Sequence, residues 1–211
     1  MKHRFLLHAT AVALALIGGP AALANQTLVP AGSVWRFLDN GADAGTAWRE
    51  PGFSDASWAQ GSAELGYGDG DEATTVGFGG DTTNRYITTY FRKAFTVADP
   101  SAFSSLKLRL LRDDGAIVYL NGVEIRRDNM PAGTVVSTTL ASTAVADAAE
   151  DTYYDSTLPP TALVAGVNTL AVEVHQSAAN SSDLSFNLEL IGETSQALVP
   201  TGSVWKYLDD G

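Results

Sequence analysis

The chain has 211 residues, with 13 Lys and Arg against 24 Asp and Glu, a formal net charge of −11 and no cysteine. A surface this acidic repels nucleic acid and anionic lipid, which argues against DNA or RNA as a partner. With no cysteine there is no disulfide, no lipoprotein anchor and no thiolate metal site, so the fold must be held by packing.

The chain opens with the basic stretch Met1-Lys2-His3-Arg4, runs almost unbroken apolar over residues 5–17, and reaches the small residues of Ala22-Leu23-Ala24. This pattern predicts a bacterial-type secretory signal peptide over residues 1–24, removed after Ala24, and so a secreted, periplasmic or extracellular protein. The apolar run is short for a bilayer span and no stop-transfer charges follow it, which predicts no membrane insertion. Removal of Lys2 and Arg4 with the leader takes the net charge from −11 to −13.

Residues 28–41 read LVPAGSVWRFLDNG and recur at 198–211 as LVPTGSVWKYLDDG, with ten of fourteen positions identical at an offset of 170. That offset is the length of a domain, far above a solenoid period. The expected organisation is one domain over residues 25–195, followed at 196–211 by the start of a second, truncated repeat. Further domains of the same chain would lie downstream. A short helical turn is expected near residues 55–58. The rest reads as strands: residues 85–97, rich in aromatic and β-branched types, then 106–111, 116–120, 123–125, 169–175 and 184–191.

Asn121-Gly122 predicts a tight hairpin, because both residues tolerate positive φ, with Leu120 opposite Val123 and Val118 opposite Ile125. Asp113-Asp114-Gly115 is open between a three-residue loop and a corner that carries the chain to an opposing sheet. A two-residue turn there would mix the apolar and polar faces. Many short strands without a sustained helical period predict an all-β, two-layer antiparallel β-sandwich, with barrel closure as the alternative.

Four segments in order then become recognisable: Phe53-Ser54-Asp55-Ala56-Ser57-Trp58, Tyr90-Phe91-Arg92-Lys93-Ala94-Phe95, the run DDGAIVYLNG at 113–122, and GVNTLAVEVHQ at 166–176. The series resembles the galactose-binding-like jelly-roll domains found ahead of catalytic domains in β-galactosidases and in carbohydrate-binding modules. The resemblance covers about residues 33–192. Residues 66–72 (GYGDGDE) with the Glu-Val-His-Gln strand end are similar to modules appended to secreted bacterial phosphoesterases. The resemblance implies a fold and an accessory role, and it transfers no ligand.

Asp69, Asp71 and Glu72, spaced by glycine, place three carboxylates within four residues, the oxygen-rich chemistry that calcium needs. Asp81 is a further candidate ligand from the next turn, and an ordinary solvated loop is the alternative. Asp113 and Asp114 are candidate ligand-binding acids, against a plain role as turn formers. His175 is a further candidate ligand-binding residue, against a strand-end histidine hydrogen-bonded to loop backbone; as the one histidine left after signal cleavage it is too few for a paired-histidine zinc site, and no Gly-x-Ser-x-Gly nucleophile motif is present. No catalytic residue is assigned, and the region is expected not to be an enzyme. Trp48, Tyr67 and Tyr86 stand in loop-like polar surroundings and are candidate sugar-stacking rings, whereas Trp35 and Trp58 read as packing. The expected function is a non-catalytic extracellular binding module for carbohydrate or another cell-surface polymer. The alternative is an accessory spacer in a larger secreted enzyme or adhesin.

Overall fold

Alternation along each strand decides which side meets the core. In Ser105–Asp113, Leu106, Leu108 and Leu110 are buried on one side while Lys107 and Arg109 face the other. The computed structural model describes residues 24–195 and 202–209. The leader read over residues 1–24 lies outside these except for Ala24. The chain divides into Ala24–Ser195 and a second unit of Met1–Leu23 with Gln196–Gly211; in the latter, residues 202–209 form no strand or helix.

Within Ala24–Ser195 the strands are β1 (Gln26–Val29), β2 (Val34–Leu38), β3 (Ala59–Ser62), β4 (Leu65–Tyr67), β5 (Thr74–Thr75) and β6 (Thr88–Val97). They continue with β7 (Ser105–Asp113), β8 (Gly115–Leu120), β9 (Val123–Asp128), β10 (Tyr154–Leu158), β11 (Gly166–His175) and β12 (Leu184–Glu193). One sheet runs β10-β7-β12-β4-β5, with β1 also on β12; the other runs β3-β2-β6-β11-β8-β9. All pairs are antiparallel except β4 with β5. This is the two-layer sandwich that the strand pattern predicts.

The inner faces interdigitate. Trp35 on β2 meets Phe186 on β12 edge-on at 5.0 Å, and Phe91 on β6 stacks on the same ring at 4.2 Å. A second apolar cluster lies on the opposite face of the β2-containing sheet, built on Tyr90, Ile117, Tyr119 and Ala171 together with Trp48, Trp58, Met130 and Val135 from the connections. Outward positions of central strands are therefore buried as well.

Two local features depart from the pattern. Short 3-10 helical turns form at Ala47–Arg49, Pro100–Ala102, Asp147–Ala149 and Pro160–Ala162, whereas at 55–58 a single turn closes, with Trp58 N–H on Asp55 O. The Asn121-Gly122 hairpin forms with both residues at positive φ, and Leu120 faces Val123. A bulge between Val118 and Tyr119 then sets Val118 opposite Arg126 instead of Ile125, since an extra residue on one strand shifts every later pair by one. At Asp113–Gly115 the chain takes the corner: β7 belongs to one sheet and β8 to the other.

Candidate functional site

Two regions at the strand ends carry the polar chemistry. The first is an acidic rim. It gathers the loop after β4, the β7–β8 corner and the connection from β11 to β12. Gly66 makes the gathering feasible, because a Cβ there would lie 1.9 Å from Leu184 O, so only glycine lets β4 close on β12. Oxygens of Asp69, Asp71 and Glu72 come within 4.8 Å of one another, as do oxygens of Asp69, Glu150 and Asp183.

The acids are held in different ways. Glu72 accepts the backbone N–H groups of Asp69 and Gly70, both at 3.0 Å, and Ser185 Oγ donates to Asp69 at 3.1 Å. Burial pushes Glu64 up to about 7; a hydrogen bond with Ser185 opposes the shift, and the charges of Asp71, Asp151 and Asp69 add to it. Burial also raises Asp69, with Asp183, Glu72 and Asp71 contributing. Asp81 does not join this group. Its carboxylate accepts N–H (2.9 Å) and O–H (2.8 Å) from Thr83, a closed local turn that holds it below the usual carboxylate range.

At the corner, the two aspartates part company. Asp114 pins two loops, accepting from Val145 N at 2.6 Å and Ser177 N at 2.7 Å. It does so across the fold rather than within its own bend. Asp113 is fully buried, and burial together with Asp114 and Asp183 pushes its carboxyl up to about 10.

Of the expected contact residues, Trp48, Tyr67 and His175 are as inaccessible as the corner aspartates Asp113 and Asp114, which are 0 % and 1 % exposed. Trp48 is 0 % exposed, packed edge-on against Tyr90 (4.9 Å) and Tyr119 (5.9 Å), so its ring face is taken by protein. Tyr67 is buried under Phe78, its hydroxyl accepts from Gln176 Nε2 at 3.0 Å, and burial raises it to about 12. His175 is buried with Nδ1 2.8 Å from Thr139 O and 2.9 Å from Thr88 Oγ1, while Nε2 lies 3.4 Å from Glu173. Connections carrying Phe78 and Thr139 close over Tyr67 and His175, whereas Trp48 lies in a connection that packs down onto β6 and β8. Trp35 and Trp58 are buried, the first as its strand-like context suggests and the second as the resemblance to the jelly-roll modules implies.

The second region is open. Tyr86 is half-buried at a cleft of about 220 Å³ lined by Asn84, Arg85, Ser137 and Thr138 among others. A neighbouring cleft of about 190 Å³ shares Ser137 and includes Arg49, Tyr90 and Glu173. Beneath it, Glu173 accepts from Tyr119 Oη (2.7 Å) and pairs with Arg49 (3.2 Å). Arg92, also buried, binds Asp55 at 2.9 Å and the carbonyls of Trp48, Glu50 and Phe53. Arg112 donates to Asp128 at 3.0 and 2.6 Å and ties one sheet to the other. The charged networks at Arg92, Glu173 and Arg112 were not foreseen. The one signal for them is a charged residue inside an otherwise apolar strand, at an outward position for Arg92 and Glu173 and on the core-facing side of Leu106, Leu108 and Leu110 for Arg112.

Comparison with protein-family models and with curated proteins gives no match. Solved structures do match. Bacteroides uniformis beta-glucuronidase 2, bound to cyclophellitol-6-carboxylate aziridine, aligns with a TM-score of 0.52 and 18 % identity over 80 % of this chain and 18 % of its own. A second Bacteroides uniformis beta-glucuronidase structure aligns at 0.51 and 16 % identity, over 79 % and 18 % of the two chains. A glycosyl hydrolase family 2 member from Bacteroides cellulosilyticus aligns at 0.51 and 16 %, over 81 % and 21 %. This chain thus spans about a fifth of the length of the glycosidases it is similar to. The fold is the galactose-binding-like jelly-roll β-sandwich, of the kind found as one domain within such enzymes.

Proposed function

We propose that residues 25–195 form an exported, non-catalytic module that binds carbohydrate or a related cell-surface polymer for a larger multidomain protein. The observation that carries this reading is the cleft at Tyr86, where a partly open aromatic ring stands beside Asn84, Arg85 and the Ser137 and Thr138 positions. Sugars present flat C–H faces that stack on such rings and hydroxyls that need polar partners around them. Similarity of fold to one domain of glucuronidases is compatible with this role and does not name a sugar.

The test is a glycan array with the full chain, repeated with Tyr86→Ala. Retention of at least one glycan class, with binding lowered tenfold or more by Tyr86→Ala at unchanged melting temperature, is the expected result. Binding that is absent, or indifferent to Tyr86, removes the reading. A second reading, an accessory spacer, is favoured by the burial of Trp48, Tyr67 and His175, and a blank array would promote it.

A further inference from the structure

The two clefts of the open region are walled by the same two connections. Gly41 and Ala42 line the Tyr86 cleft, while Asp43, Gly45 and Thr46 of that connection line its neighbour. Opposite them, Ser137 and Thr138 line the first cleft and residues 134–137 line the second, so that Ser137 belongs to both. The floor passes from Tyr86 through Thr88 to Tyr90 of β6, with Glu173 of β11 beside it. At about 3.3 Å per residue this run covers about 13 Å, longer than one pyranose ring.

Hydrogen bonds hold both walls in place. Thr88 Oγ1 donates to Ser137 O at 2.7 Å, His175 Nδ1 lies 2.8 Å from Thr139 O, and Val136 N donates to Thr139 Oγ1 at 2.9 Å. On the other side Gly45 N donates to Asp43 Oδ1 at 2.8 Å, and Trp48 Nε1 donates to Gly45 O at 3.1 Å. Walls fixed in this way lose little freedom when a ligand binds.

The second cleft carries the groups that a sugar unit needs. Arg49 lies flat over the Tyr119 ring at 4.4 Å, held there by Glu173, and its side chain remains 19 % exposed. Asp43, Thr46 and Thr134 are exposed along the walls, and Val136, 52 % exposed, offers an apolar surface to a C–H face. A hydroxyl group both donates and accepts, and a guanidinium with a carboxylate supplies both complements. The floor strands β6 and β11 are each paired on both sides, so no free backbone edge awaits an extended peptide and recognition runs through side chains.

We propose that the two clefts are consecutive subsites of one groove, which binds a linear glycan over at least two adjoining sugar units. Tyr86 carries one ring, while Arg49, Asp43 and Thr134 bind the hydroxyls of the next. The proposal rests on the reading of the Tyr86 cleft and adds to it the length of the ligand and the residues that meet its second unit.

The experiment titrates the full chain calorimetrically with glucose, galactose, mannose, xylose, N-acetylglucosamine and glucuronic acid, and with the linear di-, tri- and tetrasaccharides of each. In at least one series affinity should rise about tenfold or more between one unit and three. Tyr86→Ala should weaken every length that binds. Arg49→Gln should cut the gain from chain length to less than about twofold, and Thr134→Tyr, which fills the second cleft from its exposed wall, should do the same. If Arg49→Gln fails to fold because buried Glu173 loses its partner, Thr134→Tyr still decides. Affinity that is flat with length overturns the proposal, as does a length gain that survives the substitutions in the second cleft. In either case, binding that still depends on Tyr86 leaves the single-cleft reading standing. If no sugar of any length binds, or binding ignores Tyr86, that reading falls and the groove falls with it.

Discussion

Trp35 and Trp205 hold the same place in two nearly identical segments, yet the first is 0 % exposed and the second 71 %. Val34–Leu38 is a strand between β3 and β6, with Phe37 buried two residues after Trp35. Residues 203–209 carry the same alternation and form no strand, and Tyr207 and Leu208 are exposed. What separates the copies is the company each keeps. The first has β3 and β6 to complete its hydrogen bonds and Phe186 and Phe91 to cover its rings. A strand pattern is therefore a request for neighbours, and a lone strand has too little burial to offset the entropy of ordering it.

Matched substitutions in the two copies test this. The largest difference is expected at the tryptophans: Trp35→Ala should cost about 3–5 kcal/mol in urea unfolding by emptying the inter-sheet core. Trp205→Ala should stay within about 0.5 kcal/mol. Equal costs would mean that the second copy is also built into a core. Next come the aspartates. Asp39 accepts Gly77 N–H at 2.5 Å and fastens the end of β2 to a distant loop, so Asp39→Ala should cost about 1 kcal/mol. Asp209→Ala should leave the unfolding midpoint where it was.

The smallest contrast is at the basic position. Arg36 pairs with Asp55 at 3.4 Å across side chains 39 % and 28 % exposed, and such a pair contributes about 0–1 kcal/mol. Arg36→Ala should therefore shift the midpoint slightly and less so in high salt, and Lys206→Ala not at all. A large Arg36 effect would show that Asp55, which also holds buried Arg92, cannot do so without its second partner.

The same distinction between local request and distant completion explains which parts of the site were readable. Asn121-Gly122 announced its hairpin because positive φ is a property of those two residues, while the bulge beside Tyr119 was hidden because it belongs to a pairing of two strands. Trp48 looked exposed because its sequence neighbours are polar and small. It is buried because Tyr90, Tyr119 and Trp58, all distant or ten residues away, close around it. The acidic loop was legible as a cluster, yet its buried counterpart was not. Asp113 and Asp183 lie 70 positions apart in the sequence and meet only through the β7–β12 pairing.

From residues alone came the all-β class, the sandwich, the hairpin, the recurrence of residues 28–41 at 198–211 and the resemblance to jelly-roll modules; the first three were legible because alternation and turn chemistry act over one or two residues. Tertiary structure decided which rings are open, which acids are satisfied and where the chain changes sheet. Those properties depend on what packs against a side chain from far along the chain. A carboxyl group reads the same in a solvated loop and in a dry corner, and only its surroundings determine whether it keeps its proton.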